Sequence, residues 1–329
     1  MNLLVIGGTR FLGPHVVRAA LAAGHEVTIF NRGSRRLPEM HGLRQVCGER
    51  RSGLRALDGD TFDAVIDTCA YYPADVETSV AALATRCPLY CLISTVSVYT
   101  AEAGDIDETA AIAGTPDPVP QVVTADDYGA LKAACERAAA ERFGGDLLVV
   151  RPGLIAGPGD ATHRVGYWVR RAARGGDVLV PEPKNAPVEF IDVRDLATWL
   201  LLAVERGLSG TFNADGPSRP TTMAEFLDAC VAAAGSDVRL HWTDPRRLVE
   251  AGVEPWVELP LWIPAAGERF LTFDSSKARR AGLLCRAVSD TIAAIRAWDS
   301  RHGPAEDAVR TLSAAKEAAI LSGLGVVVT

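Results

Sequence analysis

The chain has 329 residues, 48% of them hydrophobic and 23% charged, with a mean hydropathy of +0.10. That composition supplies a core for one large α/β domain or two lobes. It excludes a disulfide miniprotein, a low-complexity chain and an intrinsically disordered one. Against 34 basic residues stand 41 acidic ones, a formal net charge of −7 that repels phosphate backbones, so no nucleic-acid partner is expected. Asn2–Ile6, Glu26–Phe30, Leu43–Cys47, Asp63–Ile66, Leu89–Ile93 and Asp146–Val150 read as strands. Most are apolar throughout rather than alternating, as a parallel sheet covered on both faces requires. Between them lie predicted helices at Phe11–Ala23, Ala74–Thr85 and Ala125–Arg142; Pro73 opens the second, where a missing N–H costs nothing. The alternation predicts an α/β, Rossmann-type doubly wound parallel sheet.

Beyond Arg151 the pattern loosens. Gly157-Pro158-Gly159-Asp160 is a turn cluster, and Pro181, Pro183 and Pro187 punctuate a loop. Val188–Ile191 then reads as strand, Val193–Glu205 as helix and Thr211–Asn213 as a short strand. Helices are expected at Met223–Ala234, Ser289–Trp298 and Pro304–Leu321, with an apolar tail at Gly325–Thr329. The expected division is one domain of residues 1–155 plus 188–214 and a smaller, interleaved C-terminal lobe of residues 156–187 plus 215–329. Seven cysteines with no C-x-x-C, and six scattered histidines, fit buried thiols in a reducing compartment and no metal site. No apolar run approaches the ~20 residues of a membrane span, and no basic leader precedes the first strand. A cytoplasmic protein with no membrane partner is expected.

After the first strand comes Gly7-Gly8-Thr9-Arg10-Phe11-Leu12-Gly13, then a helix. A strand, a glycine turn and a helix N-terminus aim backbone N–H groups at a pyrophosphate, which the helix dipole favours. Gly7 is expected to make the turn, Gly8 to let the backbone come close, and Gly13 to let helix pack on strand. The second strand ends at Asn31-Arg32, where a carboxylate would hold an NAD ribose. None is present, and Arg32, Arg35 and Arg36 crowd the position with Arg10 in the loop. Guanidinium groups suit a 2′-phosphate, so NADP(H) is favoured and NAD(H) stays open.

Tyr128-Gly-Ala-Leu-Lys132 sets a phenol and an ammonium on one helix face, where the cation lowers the phenol's pKa. The pattern follows Ser94-Thr95-Val96-Ser97-Val98-Tyr99 at a strand end. With the glycine loop, Arg151-Pro152-Gly153 leading to Gly157-Pro158, and Phe190-Ile191-Asp192-Val193-Arg194-Asp195, these motifs cover most of the chain to about residue 215. In order and spacing the sequence resembles the extended short-chain dehydrogenase/reductase superfamily, in its NAD(P)-dependent epimerase/dehydratase branch. The resemblance implies a triad in which Thr95 bonds the reacting oxygen, Tyr128 moves its proton and Lys132 holds the nicotinamide ribose. It also implies cofactor contacts from the glycine loop, Asn31, Arg32, Arg36, Cys69, Ala70, Tyr128, Lys132, Pro152, Gly153 and Leu154.

Where the sequence departs from the branch, it narrows the chemistry. Sugar-nucleotide dehydratases resembling this chain carry Asp-Glu after the threonine; here stand Val96 and Ser97. Sugar-nucleotide 4-epimerases carry an Asn and an Arg where Leu154 and Val188 stand. The expectation is therefore an enzyme exchanging a secondary alcohol and a ketone on a polar small molecule, with a homodimer allowed. Candidate substrate residues are Ser97, His163, Arg164, Tyr167 and Trp168, although Tyr167 and Trp168, each taken singly, read better as core. The rival is a non-catalytic RNA- or ligand-binding member of the fold, because chloroplast stem-loop RNA-binding proteins have a similar glycine loop. The net charge and the intact Thr95, Tyr128 and Lys132 weigh against it.

Overall fold

Seven strands, all parallel, form the central sheet of the computed structural model, which describes residues 1–52, 54–100, 104–264, 271–303 and 310–326. They are β1 (Asn2–Ile6), β2 (Glu26–Asn31), β3 (Leu43–Cys47), β4 (Ala64–Asp67), β5 (Leu89–Ile93), β6 (Asp146–Pro152) and β7 (Gly210–Ala214). Their order is β7-β6-β5-β4-β1-β2-β3, with Leu3 beside Val27 on one side and Ala64 on the other. The longer helices are α1 (Leu12–Ala22), α2 (Pro73–Leu83), α3 (Ala125–Arg142), α4 (Arg164–Ala173), α5 (Val193–Glu205), α6 (Met223–Ala234), α7 (Val288–His302) and α8 (Ala314–Gly323).

The apolar strands are buried on both faces, as their composition requires. Leu4, Ile6, Val65 and Leu92 pack with Val76, Val80 and Leu83 of α2 and Cys135, Ala138 and Ala139 of α3. Leu3 and Val5 point the other way along β1 and are equally inaccessible. Each such side chain contributes about 1.5–3 kcal/mol on leaving water. The order reverses between β1 and β4, and the carboxyl ends of those two strands open the crevice where doubly wound sheets bind ligands.

The chain divides into two compact units. The first holds Met1–Gly153, Val193–Asp215 and Leu271–Leu284, and the second Leu154–Asp192, Gly216–Phe270 and Cys285–Thr329. Residues 271–284, grouped with the second lobe by sequence, pack in the first. Leu271–Phe273 pairs with Gly104–Ile106, the Asp215 N–H donates to Ser275 Oγ at 2.8 Å, and Lys277 Nζ donates to the Thr211 carbonyl at 2.6 Å.

In the second unit the expected strand 188–191 is split. Pro187–Val188 pairs with Thr221–Thr222, and Ile191–Asp192 with Ile155–Ala156, because Phe190 between them turns into the core against Phe226. A strand not expected from sequence, Gly176–Pro181, leads into the loop that the prolines punctuate and runs parallel to Val238–Thr243. A buried carboxylate, Glu317 of α8, takes Arg171 Nε at 2.8 and 3.0 Å and the Leu179 N–H at 3.0 Å. Of the helix expected over 304–321, residues 310–312 are irregular and α8 follows, capped by Ser313; residues 304–309, like 327–329 of the tail, lie outside the described residues. Four of the seven cysteines are buried, and all seven are free thiols.

One buried ion pair anchors the end of β4. Asp67, with no exposed surface, takes Arg50 Nη1 at 3.1 Å, a shorter bond from Arg50 Nη2, and the Tyr90 hydroxyl at 2.7 Å. Arg50 also donates through Nε to Ser79 Oγ and the Asp75 carbonyl of α2. Removing one partner strands the other charge out of water. Arg50→Met is expected to cost about 3–5 kcal/mol of unfolding free energy, read from the urea midpoint. A loss well below that range would mean that Asp67 finds water or another donor.

Candidate active site

The glycine loop closes on the protein itself. Gly7 and Gly8 both have positive φ, 95° and 76°, which L side chains rarely adopt. A Cβ on Gly7 would lie 2.6 Å from Thr68 Oγ1, one on Gly8 2.9 Å from the Ile29 side chain, and one on Gly13 2.5 Å from the Gly8 main chain. Gly8 therefore makes room for Ile29, and Gly13 lets α1 close on the loop rather than on the strand. Thr68 Oγ1 donates to the Ile6 carbonyl at 2.9 Å and accepts the Gly8 N–H at 3.3 Å, joining the loop to the end of β4. Asn31 holds the other side: Nδ2 donates to the Gly7 carbonyl at 3.4 Å, and Oδ1 accepts the Gly33 N–H at 2.8 Å.

Helix α1 starts at Phe11 with no side-chain cap and no acidic residue in its first turn. Helices α3 and α6, by contrast, are capped by Thr124 and Thr222. An uncapped N-terminus beside the sheet's switch point fits the diphosphate of a dinucleotide. Thr9 and Leu12 sit in this loop, and Arg10, Arg32 and Arg36 are exposed around it.

The second cluster forms where α3 meets the end of β5. Lys132 is 4% exposed, and its Nζ donates to the carbonyls of Ala70, after β4, and Ile93, at the end of β5, at 2.7 and 2.5 Å. Burial pushes its ammonium below the usual lysine range. Tyr128, half-buried, lies one turn earlier on α3. Between them Gly129 touches the β5 turn so closely that a Cβ would come 2.1 Å from the Ser97 carbonyl. Thr95 caps that turn: Oγ1 accepts the Ser97 N–H at 3.1 Å and donates to the exposed Ser97 Oγ at 3.2 Å. Thr95, Tyr128 and Lys132 thus converge on one corner, and Cys69 and Ala70 flank it. Burial, with the Asp67 carboxylate beside it, pushes the Cys69 thiol up to about 12, which leaves it protonated.

A family model for the NAD dependent epimerase/dehydratase family matches residues 3–214. The chain belongs to that family. It is accordingly an NAD(P)-dependent epimerase or reductase of the extended short-chain dehydrogenase/reductase type. A Synechocystis sp. protein named "Putative dihydroflavonol 4-reductase" is 25% identical over 91% of this chain and 94% of its own. Two solved structures share the fold. Bordetella bronchiseptica WbmH in complex with NAD+ aligns at TM-score 0.70, 18% identity and 92% and 99% coverage of the two chains. Bacillus cereus UDP-glucuronic acid 4-epimerase in complex with NAD aligns at 0.67 and 15%, covering 92% and 100%.

Behind the family's motif residues lies a buried network that the sequence reading missed. Arg151, last but one in β6, donates to both Glu136 oxygens, at 3.0 and 2.6 Å, and to the Tyr99 hydroxyl at 2.9 Å. Glu136, one turn after Lys132 on α3, also takes the Ser94 hydroxyl, adjacent to Thr95. Tyr99 passes the chain to Asn213 Oδ1 of β7 at 2.6 Å. The spacing of Lys132 and Glu136, and an arginine in the β6 motif, were the available signals. Pro152 ends β6, and Gly153 leaves room for the Asp215 carboxylate, which a Cβ would meet at 2.2 Å.

The remaining candidates lie in the second unit, and two are corrections. Tyr167 and Trp168 do not line an open site: both are core, edge-to-face at 4.9 Å, and Trp168 Nε1 donates to the Pro260 carbonyl at 2.7 Å. His163 is buried at the start of α4 and lines a small cleft with Asp160, Arg170, Trp298 and Asp299. The Arg164 guanidinium lies 5.2 Å from the centre of the Trp256 ring. Leu154 packs against the same core, and its carbonyl takes the Ile191 N–H at 2.8 Å. No cluster of metal-binding residues occurs among the described residues, and no helix there is long and apolar enough to cross a membrane.

Because Gly129 touches backbone, the clash of an added methyl can be relieved only by moving α3 away from the β5 turn. Gly129→Ala is expected to lower kcat by about 10²-fold, the scale of an ångström's misplacement, with far-UV circular dichroism unchanged. Full activity in this variant would mean that the corner tolerates displacement.

Proposed function

We propose that this family member is an NADP(H)-dependent oxidoreductase or epimerase. It interconverts a secondary alcohol and a ketone on a polar, sugar- or nucleoside-like small molecule. The observation that carries the reading is the corner where buried Lys132 is held by the carbonyls of Ala70 and Ile93, one turn from Tyr128 and against the Thr95 turn. A bound nicotinamide supplies the hydride acceptor or donor. Tyr128 holds or gives the proton of the reacting oxygen. The ammonium of Lys132, one helical turn along α3, is a cation that attracts a phenolate oxygen. Thr95 Oγ1 offers its proton to Ser97 over a long bond, which a substrate oxygen can replace.

Water loss needs a further positioned acid and base, and the residues after Thr95 are Val96 and Ser97. The proposed reaction is therefore redox at one carbinol carbon without elimination. In deuterium oxide the product is expected to carry no carbon-bound deuterium, and Tyr128→Phe to lose about 10²–10⁴ in rate. Deuterium gained next to the carbonyl would point to an enolising base elsewhere and overturn the assignment.

The cofactor reading rests on Arg32 and Arg36 standing exposed after β2, Arg10 exposed in the loop, and Asn31 where a carboxylate would reject a 2′-phosphate. NADP+ is expected to bind more tightly than NAD+, and Arg32→Ala to narrow the gap by about 1–3 kcal/mol in paired titrations. Equal affinity of the unmodified protein for the two cofactors would refute the preference.

A further inference from the structure

One face of α3 engages the end of β5 at three places. Gly129 abuts the Ser97 carbonyl, Lys132 donates to the Ile93 carbonyl, and Glu136 takes the Ser94 hydroxyl. Thr95 lies between Ser94 and Ser97, and its own side-chain bonds, both to Ser97, are 3.1 and 3.2 Å long. Ser94 is held more firmly. It is buried, its N–H donates to the Val150 carbonyl of β6 at 2.6 Å, and its hydroxyl is fixed on Glu136. Thr95 is extended, with φ −163° and ψ 152°, so the two neighbouring side chains leave the chain on opposite sides. A backbone rotation that released Ser94 from Glu136 would therefore swing the Thr95 hydroxyl as well.

Glu136 has little freedom of its own. Arg151 donates Nε to its Oε1 at 3.0 Å and Nη2 to its Oε2 at 2.6 Å, a fork that fixes the carboxylate plane. The Arg151 guanidinium lies 4.8 Å from the centre of the Tyr99 ring. Tyr99 is anchored in turn on Asn213, whose N–H donates to Glu108 Oε1 at 2.8 Å. Apolar residues of similar volume often pack such a space as stably, because each buried charge has to leave water. An apolar cluster cannot hold one hydroxyl in one direction, whereas this network does so at Ser94, immediately before Thr95.

We propose that Glu136 is a positioning residue that acts through Ser94: it fixes the peptide ahead of Thr95, so that the Thr95 hydroxyl is already oriented when a substrate arrives. This role rests on the triad reading of the corner but not on the choice of cofactor or substrate. A pair that served only the fold would change stability and leave Thr95 where it is. A positioning pair acts on the reaction, and only while Thr95 has a hydroxyl to orient.

Replacing Glu136 would strand Arg151 out of water, so the test goes through Ser94. Ser94→Ala cuts the link and keeps the ion pair, while Ser94→Thr keeps the hydroxyl. Threonine-methyl NMR reads the Thr95 rotamer, and reduction of diacetyl by whichever reduced cofactor the protein prefers reads turnover. Ser94→Ala is expected to leave the Thr95 side chain averaging among rotamers and to lower kcat about tenfold, with cofactor affinity unchanged. Ser94→Thr is expected to restore both. Thr95→Val is expected to lower kcat about 10²-fold, and Ser94→Ala to cost nothing more in that background. A single fixed Thr95 rotamer in Ser94→Ala, or the same tenfold loss with Thr95 already replaced, would overturn the positioning role and leave the reading of the corner intact. Full activity of Thr95→Val would remove both. Should the unmodified protein leave diacetyl untouched, the rotamer result alone decides.

Discussion

Lys132 carries its charge into a site with almost no water and shares it between the carbonyls of Ala70 and Ile93. The first lies in the segment that follows β4 and the second ends the adjacent β5, so the ammonium ties α3 to both. The rest of the corner depends on that clamp. It sets the height at which Tyr128 stands above the β5 turn, and it holds the backbone that follows β4. The cost is desolvation, visible as the depressed basicity of the amine. Because carbonyls rather than carboxylates solvate the ammonium, its charge is moderated without being cancelled.

Two buried ion pairs brace the clamp from behind. Arg50 and Asp67 steady the end of β4, and Arg151 with Glu136 steadies the end of β5 through Ser94. Such pairs give little net stability compared with apolar packing, because each charge leaves water. Their geometry is what they add: a bidentate fork fixes the orientation of the two groups it joins. Residues 94 and 95 illustrate the division of labour. Ser94 faces the buried network and fixes the strand, while the neighbouring Thr95 is left with a weakly engaged hydroxyl.

The sheet was legible because its strands are consecutive runs of apolar residues, and burial on both faces leaves such runs few alternatives. Helices α3, α5 and α6 lie where helical stretches were expected, and Thr124 and Thr222 cap two of them. Gly176–Pro181 is missing from the strands expected from sequence; its partner lies some sixty residues away, and pairing at that distance leaves no local trace. Arg50 was invisible in the same way, a basic residue in a basic stretch whose partner, Asp67, is identified only by the fold. Among the site residues, the glycine loop, Thr95, Tyr128 and Lys132 follow a spaced motif. Gly129 sat inside that motif without revealing its purpose, because the absence of a side chain has meaning only when the neighbouring carbonyl is known. Tyr167 and Trp168 show the opposite failure: aromatic residues near an expected cleft resemble ligand contacts until the packing of α4 is seen.

Asn31 has a consequence for how cofactor choice can change in this lineage. Its amide uses both ends, donating to the Gly7 carbonyl and accepting from the Gly33 N–H. The acidic residue that would welcome an unphosphorylated ribose would have to replace this amide. A carboxylate there could still accept from Gly33, but it would face the Gly7 carbonyl oxygen with no proton between them. The glycine loop would lose a tether as the ribose gained a partner. Loop geometry is therefore coupled to the side chain at this position, and an acidic replacement there would call for a second change to anchor the loop anew.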